Sequence, residues 1–209
     1  MASRSIRRSK ETSALCAVPL RAPAPSATTA VNIRAVATDL SYSDALIAGI
    51  LRRVSTIAMV GASPNWKRPS NFAMKYLQEK GFRVIPVNPR AAAGGVSILG
   101  EKACSSLADV PAPVEMVDVF RASEAALEIT REAIRLREEK RIEVVWMQLG
   151  VRNDEAAAEA EAAGLTVIMN RCPKIEYGRL WGELGWGGFD SRVISSRWPR
   201  PANGGGRAG

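Results

Sequence analysis

The chain has 209 residues, of which 46% are apolar and 24% charged, and its formal net charge is +8. This length and composition suit one soluble globular domain with additional segments, and no apolar run approaches the ~18 residues that suggest a membrane span. There is no histidine, and the three cysteines form no C-x-x-C pair, which excludes histidine-dependent nucleophilic catalysis and argues against a zinc site or a disulfide framework.

Residues 1–38 carry most of the excess positive charge. Six of them are basic and one, Glu11, is acidic, so this segment has a net charge of +5. An acid-poor segment rich in Arg, Ser and Ala is typical of an organelle transit peptide. We expect import into the chloroplast, with the mitochondrion as the alternative, and cleavage after Ala35. The remainder is close to neutral, so a nucleic-acid-binding role loses its main support.

Between this leader and a C-terminal extension with a disordered tail (190–209), helix and strand signals alternate. The first half is predicted to contain a helix after a Ser41-to-Asp44 capping box, a strand in TIAMVG, a helix capped by Ser70 that ends at Gly81, and strands in FRVIPVNP and VEMVDVF. The second half is predicted to contain a helix from Ser123, a strand in EVVWMQLG, a helix capped by Asn153 that ends at Gly164, and a strand in TVIMN. A last helix is predicted to begin at Pro173, after Cys172. Strands that are apolar throughout are buried on both faces, and their alternation with helices favours a parallel sheet. The predicted α/β fold is one Rossmann-like domain over residues 41–189, with a five-stranded parallel sheet and helices on both faces.

In such sheets ligands bind beyond the carboxyl ends of the strands. The predicted strand ends carry, in chain order, Gly61, Ala62 and Ser63; Asn88, Pro89 and Arg90; Phe120 and Arg121; Gln148 and Gly150; and Arg171, Cys172 and Pro173, while Arg68 follows in the first loop. Three of the five ends contain arginine and none contains a carboxylate. This set favours a polyphosphate ligand over general acid–base chemistry.

The first loop, MVGASPNWKRPSN, is neither G-x-G-x-x-G nor G-x-x-x-x-G-K-[ST]. Gly61 lets the backbone approach a pyrophosphate without an intervening Cβ. We expect Ser63 to add a hydroxyl donor and Lys67 or Arg68 to supply charge. Trp66 either covers the ligand or packs on the following helix.

The end of the second strand bears on the choice of nucleotide. NAD sites usually place Asp or Glu there to bind the ribose hydroxyls, whereas this chain has Asn88 and then Arg90. An arginine at this position fits a phosphorylated ribose, as in NADP or coenzyme A (CoA).

Five motifs in this order resemble the CoA-binding protein family, the stand-alone relatives of the CoA-binding domain of succinyl-CoA synthetase alpha subunits. They are VGASPNWKRPSN, PVNPR, DVFR, VVWMQLGV and MNRCPKIEYGRL, and together they span roughly residues 43–180. GFDSRVISSRW, farther along, resembles extensions on plant and algal members. The resemblance implies a Rossmann-like fold and CoA or an acyl-CoA as ligand.

The resemblance also assigns roles to the strand ends. It implies that residues 61–63 pass the CoA pyrophosphate, that Arg90 lies near the ribose 3′-phosphate, and that Phe120 and Arg121 lie beside the adenosine or the phosphates. Gln148 and Gly150 match the end that faces the pantetheine arm, and Cys172-Pro173 matches an Asn-Cys-Pro turn. Bacterial members usually have Asp where this chain has Asn170.

The chain lacks the second domain and the phosphorylated histidine of the synthetases, so we interpret it as a binding protein without catalytic activity. Two alternatives stay open: an NADP(H)-dependent oxidoreductase or nucleotide sensor on the same fold, and an interaction module with a vestigial pocket. Neither a nucleic-acid nor a membrane partner is expected, and a homodimer is left open. Since Cys172 caps a helix beside Arg171, its pKa is expected to be lowered. It could then form a mixed disulfide with CoA, or instead be a buried small side chain that shapes the turn.

Overall fold

The structure, a computed structural model, describes residues 40–181. The predicted transit peptide, the predicted extension and tail (190–209) and the GFDSRVISSRW motif lie outside the described residues. Within 40–181, no helix is both long and apolar enough to cross a membrane.

The described residues form helices and strands in a regular alternation. Their order is α1 (Asp44–Arg53), β1 (Thr56–Val60), α2 (Pro69–Glu79), β2 (Arg83–Val87), α3 (Pro89–Ala93), β3 (Ser97–Ile98), β4 (Glu101–Lys102), β5 (Met116–Val119), α4 (Ser123–Lys140), β6 (Val144–Met147), α5 (Asp154–Ala162), β7 (Thr166–Ile168) and α6 (Pro173–Leu180). Each predicted strand and helix is present.

Within the described residues, the long-range organisation is a five-stranded sheet in the order β2-β1-β5-β6-β7. All neighbouring strands run parallel. Three of the strands, β1, β5 and β6, lie inside the sheet, which explains why most of their residues are apolar on both faces, with Asp118 of β5 as a buried exception. The predicted fold is therefore confirmed.

Helices cover both faces of this sheet. On one face, Val117 and Val145 pack with alanines of α4 and α5. On the other face, Met59 and Trp146 pack with residues of α1 and α2, and with Tyr177 of α6. Trp146 is fully buried, and its indole Nε1 donates to the Arg171 carbonyl at 2.9 Å, which satisfies the polar end of the ring.

Side chains cap three of the helices, and two predicted caps are wrong. Ser43, rather than Ser41, precedes α1, and its Oγ accepts from the Leu46 amide. Arg68, rather than Ser70, occupies the cap position of α2, because Pro69 fits the first helical position and moves the boundary toward the N-terminus. Asn153 caps α5 as predicted, through a bond from the Ala156 amide to its Oδ1.

Two short features were not predicted from the sequence. Helix α3 has five residues, and β3 and β4 form an antiparallel hairpin of two residues each. Such short segments carry no readable periodicity. A bridge between Val87 and Cys104 lies beside β2, where the Cys104 carbonyl accepts from the Asn88 amide at 2.9 Å.

The strand order reverses its direction between β1 and β5, which is the topological switch point of the sheet. The chain passes from β1 to β2 on one side and later enters β5 on the other side. A crevice beyond the carboxyl ends of these two strands is the expected ligand position in this architecture. The residues that follow these strands, Gly61 and Phe120, therefore define the centre of the candidate site.

Candidate ligand-binding site

The backbone at Gly61 passes directly against the end of β5. Gly61 has φ +91°, and a Cβ built on it would lie 2.5 Å from the Phe120 carbonyl oxygen and 2.9 Å from Arg121 Cδ. Its amide donates to the Val87 carbonyl at 2.9 Å, while the Phe120 amide donates to the Val60 carbonyl at 2.8 Å. Both the positive φ and the lack of space therefore require glycine here.

The loop after Gly61 is held by side chains near the start of α2. The Ser63 amide donates to Ser70 Oγ at 3.1 Å, and the Ser63 carbonyl accepts from Asn71 Nδ2 at 3.0 Å. Ser70 thus anchors the loop from inside the helix instead of capping it. Ser63 Oγ accepts from the Asn65 amide, which leaves its hydroxyl proton available to a ligand.

Asn88 joins the ends of β1 and β2. Its Nδ2 donates to the Ala62 carbonyl at 2.7 Å, and its Oδ1 accepts from the Arg90 and Ala91 amides. The side chain therefore caps α3 and fixes the Ala62 backbone at the same time. Pro89 at the first position of α3 sets the direction in which Arg90 leaves the sheet. In this geometry Asn88 organises the site through backbone contacts.

Arg68, Arg90 and Arg121 remain exposed around this centre. Among the described residues, their guanidinium groups form no hydrogen bond or ion pair. Arg121 lies beside Gly61, Arg90 is two residues beyond Asn88, and Arg68 precedes α2. Such groups are free to bind phosphate oxygens, which suits the polyphosphate prediction.

Arg171 departs from the predicted cationic set. Its guanidinium donates to the Leu40 and Asn170 carbonyls and lies 3.5 Å from Glu176 Oε1. Glu176 is itself buried and also binds Arg179. Arg171 therefore links the segment before α1 to α6. No sequence pattern predicted its contact with Leu40, because Leu40 is 131 residues away along the chain.

Asp118 is a buried carboxylate that the sequence-based list of strand-end residues did not include. It is fully buried in β5, and Gln148 Nε2 donates to its Oδ1 at 2.9 Å and to its Oδ2 at 3.2 Å. Burial raises the pKa of Asp118 to about 7, against a smaller lowering by the Gln148 bond. The signal in the sequence was an acidic residue between Val117 and Val119, one position before the end of the predicted strand. Gln148, predicted to face the pantetheine arm, is thus largely committed to Asp118.

Residues 55–178 match a protein family described as the CoA binding domain. The match covers more than half of the chain. The chain belongs to this family.

Relatives of similar sequence consist almost entirely of the same domain. An uncharacterized protein of Bacillus subtilis (strain 168), YneT, is 38% identical over 135 residues, which covers 65% of this chain and 94% of the relative. A hypothetical protein from Pyrococcus horikoshii OT3 is 40% identical, with a TM-score of 0.62 and coverage of 68% and 95% of the two chains. Cell-free ID.343 from Thermus thermophilus is 37% identical, with a TM-score of 0.61 and coverage of 66% and 99%.

The Cys172-Pro173 turn of this CoA-binding-domain protein begins α6 as predicted. The predicted lowering of the Cys172 pKa is wrong. Burial, together with the nearby Asp118, raises the pKa of its thiol to about 11, and the neighbouring amides of Ile175 and Lys174 lower it only partly. The side chain is 8% exposed, so the loss of solvation outweighs the helix N-terminus. These features favour the buried small side chain over the redox-active one.

Gly150 and Asn170 join the ends of β6 and β7. The Gly150 amide donates to Asn170 Oδ1 at 2.8 Å, and the two residues have φ +79° and +52°. This contact needs only a carbonyl-type acceptor, which Asn supplies as well as the Asp of bacterial family members. The Asp-to-Asn difference therefore leaves this joint of the domain intact.

Trp66 lies on the outer side of the first loop of the CoA-binding domain. It is 67% exposed, and Lys67 Nζ lies 5.4 Å from its ring centroid. Phe72, on α2, is also exposed. Trp66 is thus an accessible aromatic surface next to the candidate phosphate site.

Proposed function

We propose that this protein binds coenzyme A or an acyl-CoA along the carboxyl edge of its sheet. The observation that carries the proposal is the close approach of Gly61 to Phe120, surrounded by the three exposed arginines. A bare backbone turn with unpaired guanidinium groups suits a pyrophosphate. Membership of the CoA binding domain family supports CoA as the source of that group.

The strand order suggests how such a ligand would lie. From one side of the sheet to the other, the edge presents Arg90 after β2, Gly61 after β1, Phe120 and Arg121 after β5, and Gln148 after β6. In the proposed pose the ribose 3′-phosphate lies near Arg90, the pyrophosphate near Gly61, and the pantetheine arm toward β6. Neighbouring strands are about 4.8 Å apart, so the three spacings from β2 to β6 amount to roughly 14 Å.

The proposal is a binding role without catalysis. The chain has no histidine, so a phosphohistidine route to acid–thiol ligation is unavailable to it. The relatives of which this chain covers 94% and 95% are an uncharacterized protein and a hypothetical protein. A carrier, buffer or sensor of CoA is the functional class that these features support.

Thermal unfolding of the full chain with CoA, acetyl-CoA, NADPH and NADH tests the proposal. A ligand at about 100 times its dissociation constant should stabilise the folded state by ~2.7 kcal/mol. Stabilisation by CoA or acetyl-CoA and not by NADPH supports it. Stabilisation by NADPH alone would indicate the oxidoreductase or sensor alternative, and no shift with any of the four would indicate an interaction module.

We also propose that this is an organellar member of the family, of the plant and algal type, located in the chloroplast. Support comes from the acid-poor, Arg- and Ser-rich composition of residues 1–38. The mitochondrion is the alternative compartment. Under this proposal the binding domain binds CoA or acyl-CoA from the pool of that organelle.

A further inference from the structure

Asp118 occupies an unusual place for a carboxylate. It lies in β5, the central strand, paired in register with Met59 on β1 and Trp146 on β6. Those neighbours belong to the cluster packed under α1, α2 and α6. Among the described residues, the hydrogen-bond partner of its carboxylate is Gln148. A buried acid with one amide partner controls how that amide is oriented.

The orientation follows from hydrogen-bond chemistry. An ionised carboxylate only accepts, so the NH₂ end of Gln148 must face Asp118 and the carbonyl end must face away. Gln148 is 95% buried, since 5% of it is exposed. Among the described residues, Thr130 Oγ1 is the one sealed side-chain polar atom without a partner. Gln148 Oε1, which has no protein partner there, is therefore not fully sealed from solvent, and Gln148 directly follows β6 at the carboxyl edge of the sheet.

An unoccupied side-chain acceptor is the exception at this edge of the sheet. The other unoccupied side-chain groups that the site offers are donors, namely the guanidinium groups of Arg68, Arg90 and Arg121 and the Ser63 hydroxyl proton. Donors suit phosphate oxygens, whereas an acceptor suits a ligand N–H. Gln148 follows β6, two strands away from Gly61, so it faces a part of the ligand beyond the pyrophosphate.

We propose that Asp118 is a positioning residue that holds the Gln148 carboxamide with its carbonyl oxygen toward the ligand, where it accepts a hydrogen bond from an amide N–H of the ligand's arm. The inference rests on the proposed function, since CoA carries such amides in its pantetheine arm. It adds a specificity element to that function, because Gln148 would distinguish an amide-bearing arm from a plain alkyl arm.

Protonation of Asp118 reverses this arrangement. A protonated carboxyl donates to Gln148 Oε1 and turns the NH₂ end toward the crevice. Burial raises the pKa of Asp118 to about 7, so the change falls between pH 6 and 8. Of the titratable groups of α6, Cys172 interacts with the charge of Asp118. The same helix carries Lys174, the buried Glu176, which is paired with Arg171 and Arg179, and Tyr177. The buried residues of α1 and α2 on this face are not titratable, and the Cys172 thiol stays protonated in this range.

The test compares two ligands that share all phosphates. One is CoA, and the other is the butyl ester of 3′-phospho-ADP, which has the same pyrophosphate diester but no amide. Dissociation constants are measured by calorimetry on the full chain at pH 6 and pH 8, for the wild type, Gln148→Met, Asp118→Val and Asp118→Asn. Because the two ligands carry the same phosphates, phosphate titration and the charge of Asp118 affect both dissociation constants equally. The ratio of the two dissociation constants is therefore independent of these effects.

For each variant, the preference is the dissociation constant of the ester divided by that of CoA. At pH 8 this preference should be roughly 2- to 10-fold larger in the wild type than in Gln148→Met, which is the contribution expected of one neutral hydrogen bond. This extra preference should shrink toward pH 6. Asp118→Val should lose it at both values, whereas Asp118→Asn, whose amide can still accept from Gln148, should retain part of it without pH dependence. The near-isosteric Asn and Met variants keep the test valid if the Val variant fails to fold.

The inference is overturned if Gln148→Met weakens the binding of CoA and of the ester by the same factor. It is also overturned if the wild type prefers CoA over the ester no more than Gln148→Met does. Either result leaves the proposed function intact. Such a result would mean that Gln148 reads the shared nucleotide or only supports the fold. Failure of both ligands to bind the wild type overturns the proposed function and this inference with it.

Discussion

The carbonyl oxygen of Phe120 lies too close to Gly61 for a residue with a side chain to occupy position 61. A Cβ on Gly61 would be 2.5 Å from that oxygen, a distance that side chains do not tolerate against backbone. The backbone of Gly61 therefore packs directly against the end of β5, where Arg121 Cδ is also 2.9 Å from the Cβ position, at the edge of the sheet where the ligand is expected. This single contact links the sheet topology to the candidate site.

Gly61→Ala should destabilise the fold more than its matched control, Gly81→Ala. The two glycines have nearly the same φ, +91° and +92°, but a Cβ on Gly81 meets nothing within 4 Å. The control therefore measures left-handed strain alone, about 1–2 kcal/mol. Overpacking should add roughly 1–3 kcal/mol at Gly61. Urea unfolding of both variants provides the comparison, and equal losses would show that the β1 and β5 ends separate without cost.

Arg90→Ala should weaken CoA much more than 3′-dephospho-CoA. Arg90 is exposed at the end of β2 and is free of ion pairs among the described residues. A hydrogen bond to a charged group contributes ~1.5–3 kcal/mol, so about 10- to 100-fold should be lost. Arg135→Ala, an exposed arginine on α4, is the control. Calorimetry with an equal loss for both ligands would mean that Arg90 does not read the 3′-phosphate.

Asp118→Asn should become increasingly stabilising, relative to the wild type, as the pH rises from 5 to 8. Burial raises the pKa of Asp118 from 3.8 to about 7, so the folded state holds a proton that the unfolded state has released. The wild type therefore loses stability as the pH rises through this range, by up to about 1.4 kcal/mol per pH unit, and the loss levels off above the folded pKa. Denaturation curves at several pH values measure this, and a pH-independent difference would contradict the buried, protonated acid.

Cys172 should react with maleimide far more slowly than Cys104 in the folded protein at pH 8. With a pKa of about 11, roughly one Cys172 thiol in a thousand is ionised at that pH. Burial also raises the pKa of Cys104, but that residue is only half-buried. Peptide mapping after short labelling separates the sites, with labelling in guanidinium chloride as the reference. Rapid labelling of Cys172, or a CoA adduct on it after treatment with CoA disulfide, would restore the redox-responsive hypothesis.

A fusion of residues 1–38 to a fluorescent reporter should enter the chloroplast. The segment is rich in Arg, Ser and Ala, and Glu11 is its one acid, which matches the composition of transit peptides. Replacing its arginines with glutamate should abolish import. A reporter that stays diffuse in the cytosol would refute the transit-peptide proposal, whereas mitochondrial import would change only the compartment.

Local sequence rules predicted most of the fold because its strands lie between helices. Uninterrupted apolar runs such as Thr56–Val60 indicate strands that are buried on both faces, and Pro173 or Asn153 marks a helix start. The same rules placed two caps wrongly. Ser41 is chemically as suitable as Ser43, which caps α1, whereas Arg68 occupies the cap position of α2 without a side-chain hydrogen bond because Pro69 begins that helix. Choosing among them depends on where the chain leaves the sheet.

The amino-acid sequence was enough to predict the parallel α/β architecture and a set of arginines at the strand ends, because these follow from periodicity and residue type. It predicted Gly61 as a phosphate-binding turn, but the close approach of the Phe120 carbonyl, which requires glycine there, exists only in the folded chain. Which arginines are available depends on tertiary contacts, since Arg171 binds Glu176 of α6 and the carbonyl of Leu40, which is 131 residues away along the chain. The tertiary structure likewise buried Cys172 and paired Asp118 with Gln148. Desolvation and long-range partners set the charge of such groups, and both exist only once distant segments have packed together.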